Sequence, residues 1–349
     1  MKPKLKPIRE QVVVITGATS GIGLATACRA AAAGAAVVLA AREEGALREV
    51  RDGILARGGR AEYVVADVGD RADVERVAAE AERRFGGFDT WVNNAGVGIF
   101  ATLEETSDED HERLFRTNYW GVVHGSRVAL RLLKRRGGAL VNMGSIASEM
   151  PAPMHGAYAA SKHAVKGFTD SLRVELLREG APVSVTLIEP ASVDTPFPEH
   201  AKTYTEEASR VPPPAYAPEV VADAILHAAQ HPTRDLVVGG TGRAMIALSH
   251  LLPPVADRLF AWALFRGVRQ PGRPRRAAPA GLHRPGRDGR LYGDQGHQFG
   301  RSLSTAVRTH PGAAALGLLA AGVAAAALLA PPRRSVPVAS RSRRRLQRD

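Results

Sequence analysis

Tyr158 and Lys162 stand four residues apart in AYAASKHAVKGF, and Ser145 lies thirteen residues upstream at the end of GALVNMGS. Residues i and i+4 of a helix share a face, so a helix through this run sets the Lys162 ammonium beside the Tyr158 phenol. A cation there favours the phenolate and brings a group whose ordinary pKa is about 10 closer to working pH, as acid-base catalysis requires. The three residues together make a proton donor suited to a carbonyl. The spacing is not a product of composition: the chain has 7 lysines against 40 arginines, and only 6 tyrosines.

Such a group works only if rigid elements bring it to a cofactor and a substrate. Residues 11 to 23, QVVVITGATSGIG, read as a β-branched strand, then a turn with Gly17, Gly21 and Gly23, then the helical run LATACRAAAAG. A strand, a glycine turn and a helix start gather free N–H groups and the positive end of a helix dipole at one point, where a pyrophosphate would sit. Further strands are expected near 36 to 41, 61 to 66, 88 to 93, 138 to 144, 183 to 189 and 235 to 238, with helices between. That alternation implies an α/β fold, a parallel sheet of about seven strands covered on both faces. Its ligand crevice should open at the carboxyl ends of the strands, where Gly17, Asn94, Ser145 and Pro190 all fall.

TGATSGIG, NNAG at 93 to 96, Asn118, Ser145 and YxxxK, in this order, resemble the short-chain dehydrogenase/reductase family over roughly residues 8 to 240. The resemblance implies a Rossmann-type, doubly wound catalytic domain and a homo-oligomer. It matches Asn118, Ser145, Tyr158 and Lys162 to the family's catalytic tetrad. Tyr158 would exchange a proton with the substrate oxygen, Ser145 would hydrogen-bond that oxygen, and Lys162 would lower the phenol pKa and contact the nicotinamide ribose. Asn118 would bend its helix and hold a water linking Lys162 to solvent. Thr19, Ser20, Ile22, Val68, Ala95 and Gly96 join the three glycines and Asn94 as expected cofactor contacts. In SVTLIEPASVDTP, Pro190 and Val193 would lie against the cofactor and Thr195 would bond its carboxamide; Ala191 stands where the family usually has glycine.

The second strand, AAVVLAA, ends at Ala41 with no acid to bind a ribose 2′-hydroxyl, and Arg42 follows. A planar guanidinium at this turn pairs with a 2′-phosphate, so the expected cofactor is NADP(H). Ser20 stands where many NADP-preferring relatives carry a basic residue. Asp67, ending EYVVADV, matches the family residue that touches the adenine amino group, or else caps the next helix.

Charge is uneven along the 349 residues: 266 to 349 hold 17 arginines and three acids, whereas 1 to 265 are close to neutral. The catalytic part is therefore not a basic protein, and no nucleic-acid partner is expected. Four regions follow: a catalytic domain at 1–265, a flexible Arg/Gly/Pro-rich linker at 266–311, an apolar helix at 312–330 and a basic tail at 331–349. A cut near residue 270 is expected to leave folding and activity intact. The run 312–330 has no charge, and as a helix would be about 28 Å long. It is read as a membrane segment or as a packed helix. Pro253, Pro254, Asp257 and Arg258 interrupt the other apolar run, 244 to 265. The expectation is a cytoplasmic-side enzyme held at the membrane by an apolar segment and arginines. Cys28, the sole cysteine, has no intramolecular partner and is expected in the core. No metal is called for.

The function expected is hydride transfer between NADP(H) and a carbonyl or secondary alcohol, with Tyr158 as general acid/base. Met150, Pro151, Met154, Phe197 and the loop VPPPAY at 211 to 216 are expected to wall an apolar substrate. The alternatives are a non-catalytic dinucleotide-binding redox sensor and a membrane scaffold.

Overall fold

Val12–Thr16 places apolar side chains on both sides of an extended chain, so it is stable only with both faces covered. In the computed structural model, which describes residues 3–274, 281–286, 289–294 and 298–309, it is an interior strand of a seven-stranded sheet. The strands are β1 Val12–Thr16, β2 Ala36–Ala41, β3 Arg60–Val65, β4 Thr90–Asn93, β5 Gly138–Met143, β6 Val183–Pro190 and β7 Asp235–Val238. All pair in parallel, in the order β7-β6-β5-β4-β1-β2-β3. Each lies within two residues of its expected bounds.

Side-chain alternation divides the core in two. Val13, Ile15, Val37 and Leu39 meet helices α1 (Gly21–Ala32), α2 (Glu44–Leu55) and α8 (Pro218–Ala228). Val14, Val38 and Leu140 meet α3 (Arg71–Phe85), α5 (Gly121–Arg136) and α6 (Gly156–Glu179) on the other face. Helix α4 (Asp108–Phe115) runs into α5 through a π-helical turn, Arg116–Trp120, and a short α7 spans Phe197–His200.

Beyond β7 come α9 (Gly240–Leu251) and α10 (Pro253–Val268). Pro253 and Pro254 occupy the first turn of α10, where a missing N–H costs nothing, so they start a helix. The expected boundary at 265/266 falls inside α10. The stretch expected as a linker builds no core of its own, but its described residues lie on the catalytic unit. Arg269–Pro274 pairs with Glu207–Ser209, Gln298–Phe299 pairs with Ala215–Tyr216, and Leu282 is wholly buried beside Val97, Ile99 and Leu114. In α11 (Leu303–Thr309), the Thr305 hydroxyl accepts from Gly239 N at 3.2 Å. A cut near 270 therefore removes parts of the packed structure. No helix among the described residues is long and apolar enough to cross a membrane, and the regions 312–330 and 331–349 lie outside them. Cys28 sits on α1 only partly buried, not in the core as expected, and its burial raises the thiol pKa.

Glu189 is the exception inside β6: it is 2% exposed and its Oε1 has no hydrogen-bond partner. Burial, and then the nearby Glu149 and Asp235 carboxylates, push it up to about 8. The folded protein thus holds a proton that the unfolded chain releases near 4.5, so this residue's contribution to stability is lost as pH rises from about 4.5 through about 8. Glu189→Gln should remove that loss: between these two values the variant gains on the wild type by about 1.4 kcal/mol for each rise of one pH unit. Denaturation midpoints at pH 6 and 9 check this, and parallel pH profiles would refute it.

Candidate active site

The turn after β1 is shaped by close approach. A Cβ on Gly23 would run into the Gly17 carbonyl oxygen, so only glycine lets α1 settle on the turn. Ser20, the N-cap of α1, makes no side-chain capping bond, whereas Glu43, Asp70 and Ser107 cap α2, α3 and α4 with theirs. From β4, Asn94 Nδ2 donates to Thr16 O at 2.9 Å and Gly17 O at 3.2 Å, while Asn94 N and Ala95 N donate to Thr16 Oγ1. Thr195 packs against Gly21. Ala191 needs no glycine freedom, since Met154 is the only non-glycine residue with positive φ among those described.

At the ends of β2 and β3, Arg42 donates through Nη1 to Leu282 O at 3.1 Å and through Nη2 to Gly281 O. Burial lowers its pKa, although the Asp67 carboxylate opposes this. Asp67 accepts from Gly69 N at 2.9 Å and from Arg113 Nη2 at 2.6 Å. Burial works to raise the Asp67 carboxyl, but these two donors hold it below the usual range. The cap of α3 is Asp70, which accepts from Ala72 N at 2.8 Å, so that alternative for Asp67 falls away.

Ser145 follows β5 and starts a 3₁₀ turn; its Oγ accepts from Ala147 N at 3.1 Å. Tyr158 lies in the first turn of α6, its ring between His155 at 4.5 Å and Phe197 at 5.6 Å. Burial pushes the phenol up to about 12, and the Ser145 hydroxyl works against the shift. Lys162, 4% exposed, donates to Met143 O at 2.7 Å and lies 5.5 Å from the centre of the Tyr158 ring. Burial lowers its pKa to about 8. The sequence expects the lysine to lower the phenol pKa; in the structure burial acts the other way and shifts both groups toward neutrality. Asn118 is fully buried in the π-helical turn, where its Oδ1 accepts from Val97 N at 2.8 Å and its Nδ2 donates to Val97 O and Ser161 Oγ. It does not line the cleft and makes no direct bond to Lys162.

Every other expected catalytic and cofactor-binding residue, from Gly17 and Thr19 to Thr195, lines one cleft of about 390 Å³. Its far wall is apolar: Phe100, Met150, Phe197, Val211 to Pro214, Met245 and Leu264. Pro151 and Met154 are not on it. Met154 packs behind Phe100 with Ala201 and Val268, and Tyr216 turns to Phe299. The sequence reading also misses His155, the N-cap of α6, whose ring lies against Tyr158. Its Nδ1 is 2.6 Å from Ile99 O, and burial lowers its pKa to about 4, so it faces the cleft as a neutral ring. Arg113, which braces Asp67, left no signal beyond being one more arginine.

The cleft fits an elongated nucleotide: an uncapped helix start and a turn that a Cβ would fill at one side, and a buried lysine and a phenol at the other. Comparison with known proteins agrees. The chain is 46% identical over 279 residues to the uncharacterized oxidoreductase YxnA of Bacillus subtilis (strain 168), covering 78% of each chain. The fold is similar to a crystal structure of a short chain dehydrogenase/reductase from Burkholderia phymatum in complex with NAD, at a TM-score of 0.66 and 29% identity over 72% of this chain and 96% of that one. It is also similar to an alcohol dehydrogenase from the archaeon Thermococcus sibiricus complexed with 5-hydroxy-NADP, at a TM-score of 0.58 and 29% identity over 65% and 95%. Residues 11–205 match the family described as short chain dehydrogenase, and it is to this family of oxidoreductases that the chain belongs.

Proposed function

We propose that the protein transfers hydride reversibly between NADP(H) and the carbonyl or secondary alcohol of an apolar substrate, with Tyr158 as general acid/base. The observation that carries this reading is the meeting of Tyr158, Ser145 and buried Lys162 in the same cleft as the glycine turn. The bound cofactor supplies or takes up the hydride. The chain's own residues manage the proton and the charge. With its pKa near 12, Tyr158 stands protonated at neutral pH, ready to donate to a substrate oxygen that Ser145 also bonds. The phenolate left behind is a buried anion, and the Lys162 ammonium is the charge that stabilises it. The aromatic and methionine wall excludes water and favours an aliphatic or cyclic ligand.

NADP(H) is the preferred cofactor in this reading because β2 ends at Ala41 without an acid and Arg42 follows on the cleft. The reading includes a homo-oligomer: Val174 and Leu177 on α6, 63% and 73% exposed, are apolar residues that a second copy would cover.

Three outcomes are expected. Tyr158→Phe should cut turnover by roughly 10² to 10⁴ while cofactor binding survives; near wild-type turnover would remove Tyr158 from the mechanism. Reduction should fall as pH rises through about 8, where Lys162 loses its proton. Lys162→Met should be slow and flat across the same range, and a variant that keeps the alkaline limb would assign it to another group. Arg42→Ala should weaken NADPH by roughly ten- to hundred-fold more than NADH, given about 1.5 to 3 kcal/mol for a charged hydrogen bond. Losing the Gly281 and Leu282 contacts acts on both cofactors alike, so the ratio isolates the phosphate, and equal losses would refute the preference.

A further inference from the structure

The C-terminal extension occupies the donors of the cofactor cleft. At the ends of β2 and β3, Arg42 donates to the carbonyls of Gly281 and Leu282, and Arg113 Nε donates to Leu282 O at 3.1 Å. At the glycine turn, Gly21 N, the first amide of α1, donates to Arg290 O at 3.1 Å. At the third point, Gly293 lies so close to the loop after β6 that a Cβ would run into the Thr195 carbonyl oxygen. Gly281, Pro285 and Gly286 form part of the cleft lining itself.

These contacts have anchors. Leu282 is fully buried against Val97, Ile99 and Leu114, and Gly281 N donates to His200 O at 2.7 Å. The Arg290 side chain pairs with Glu199, and the Tyr292 hydroxyl donates to Glu219. A guanidinium and a helix's first amide are donors suited to anionic oxygens, and neutral carbonyls hold them less strongly than phosphate oxygens would. The carbonyls can therefore yield to a dinucleotide, but only if the segment carrying them moves.

We propose that residues 281–286 and 289–294 form a strap across the nucleotide cleft, anchored by Leu282, which the cofactor must displace to enter. The inference rests on the reading that this cleft takes a nicotinamide dinucleotide. A strap that competes with the cofactor for the same donors slows association and weakens apparent affinity, so loosening it speeds association and tightens binding while release changes little.

The test uses the full-length protein and two variants: Leu282→Asp, which expels the anchor, and Gly293→Val, which pushes the strap off Thr195 at a point outside the apolar cluster. Stopped-flow fluorescence with NADPH and with NADH gives both rate constants. At least tenfold faster association with little change in release is expected in both variants, whereas general damage to the cleft would slow association. Wild-type rates in either folded variant, or faster release with unchanged association, would overturn the strap as a barrier. A wild-type protein that binds neither dinucleotide would overturn the reading of the cleft, and the strap with it.

Discussion

A few hydrogen bonds between the ends of β1 and β4 hold the functional part of the molecule together. The chain leaving β1 goes to one face of the sheet and the chain leaving β4 to the other, and the crevice exists because these two paths diverge. Thr16 Oγ1 donates to Val92 O at 3.2 Å and accepts from Asn94 N and Ala95 N, while the Asn94 amide grips the carbonyls of Thr16 and Gly17. Thus the turn that fits a pyrophosphate is fixed to the strand beside it. Behind them, Asn93 Nδ2 donates to Asn142 Oδ1 at 2.9 Å and Asn142 Nδ2 to Thr169 Oγ1 at 3.0 Å, carrying the same register through β5 into α6. Tyr158 and Lys162 ride on that helix, so their distance from the glycine turn is set by a buried network of polar side chains.

The second constraint is burial. Tyr158 and Lys162 are both pushed toward their neutral forms, the phenol to about 12 and the amine to about 8. What keeps the amine a useful cation is its bond to Met143 O and its place beside a phenol that becomes an anion only when it gives up a proton. The surrounding rings of His155 and Phe197 make the phenolate costly at rest, and in the proposed mechanism that cost falls in the proton-transfer step because the Lys162 cation is at hand.

Much of this could be read in the chain because parallel strands buried on both faces are written as unbroken β-branched and apolar runs. VVVIT and AVVLAA are legible for that reason, and the glycine turn follows from its place between a strand and a helix. Tyr158 and Lys162 were legible because helix geometry ties residues four apart, and Ser145 because it stands in the family's motif order at the end of a strand. What was not legible depends on contacts between distant residues. Leu282 is one of a few apolar residues in an Arg/Gly/Pro-rich stretch, and composition averaged over the stretch hides that one side chain fits a prepared niche. Arg113 is invisible for the same reason, since its partner Asp67 is 46 residues away. Met154 looked like a pocket residue by position, but its left-handed backbone turns it behind Phe100.

The strap also has a place in time. A chain emerging from its N-terminus completes β7 at Val238 well before Leu282, Arg290 and Gly293 are made. For that interval Arg42 and the first amide of α1 have no carbonyls from the extension to satisfy them. The nascent sheet is then an open receptor, and a dinucleotide that enters during synthesis meets no barrier on the way in. In the finished molecule, by contrast, the extension and the dinucleotide compete for the same donors, and the later arrival must evict the earlier one.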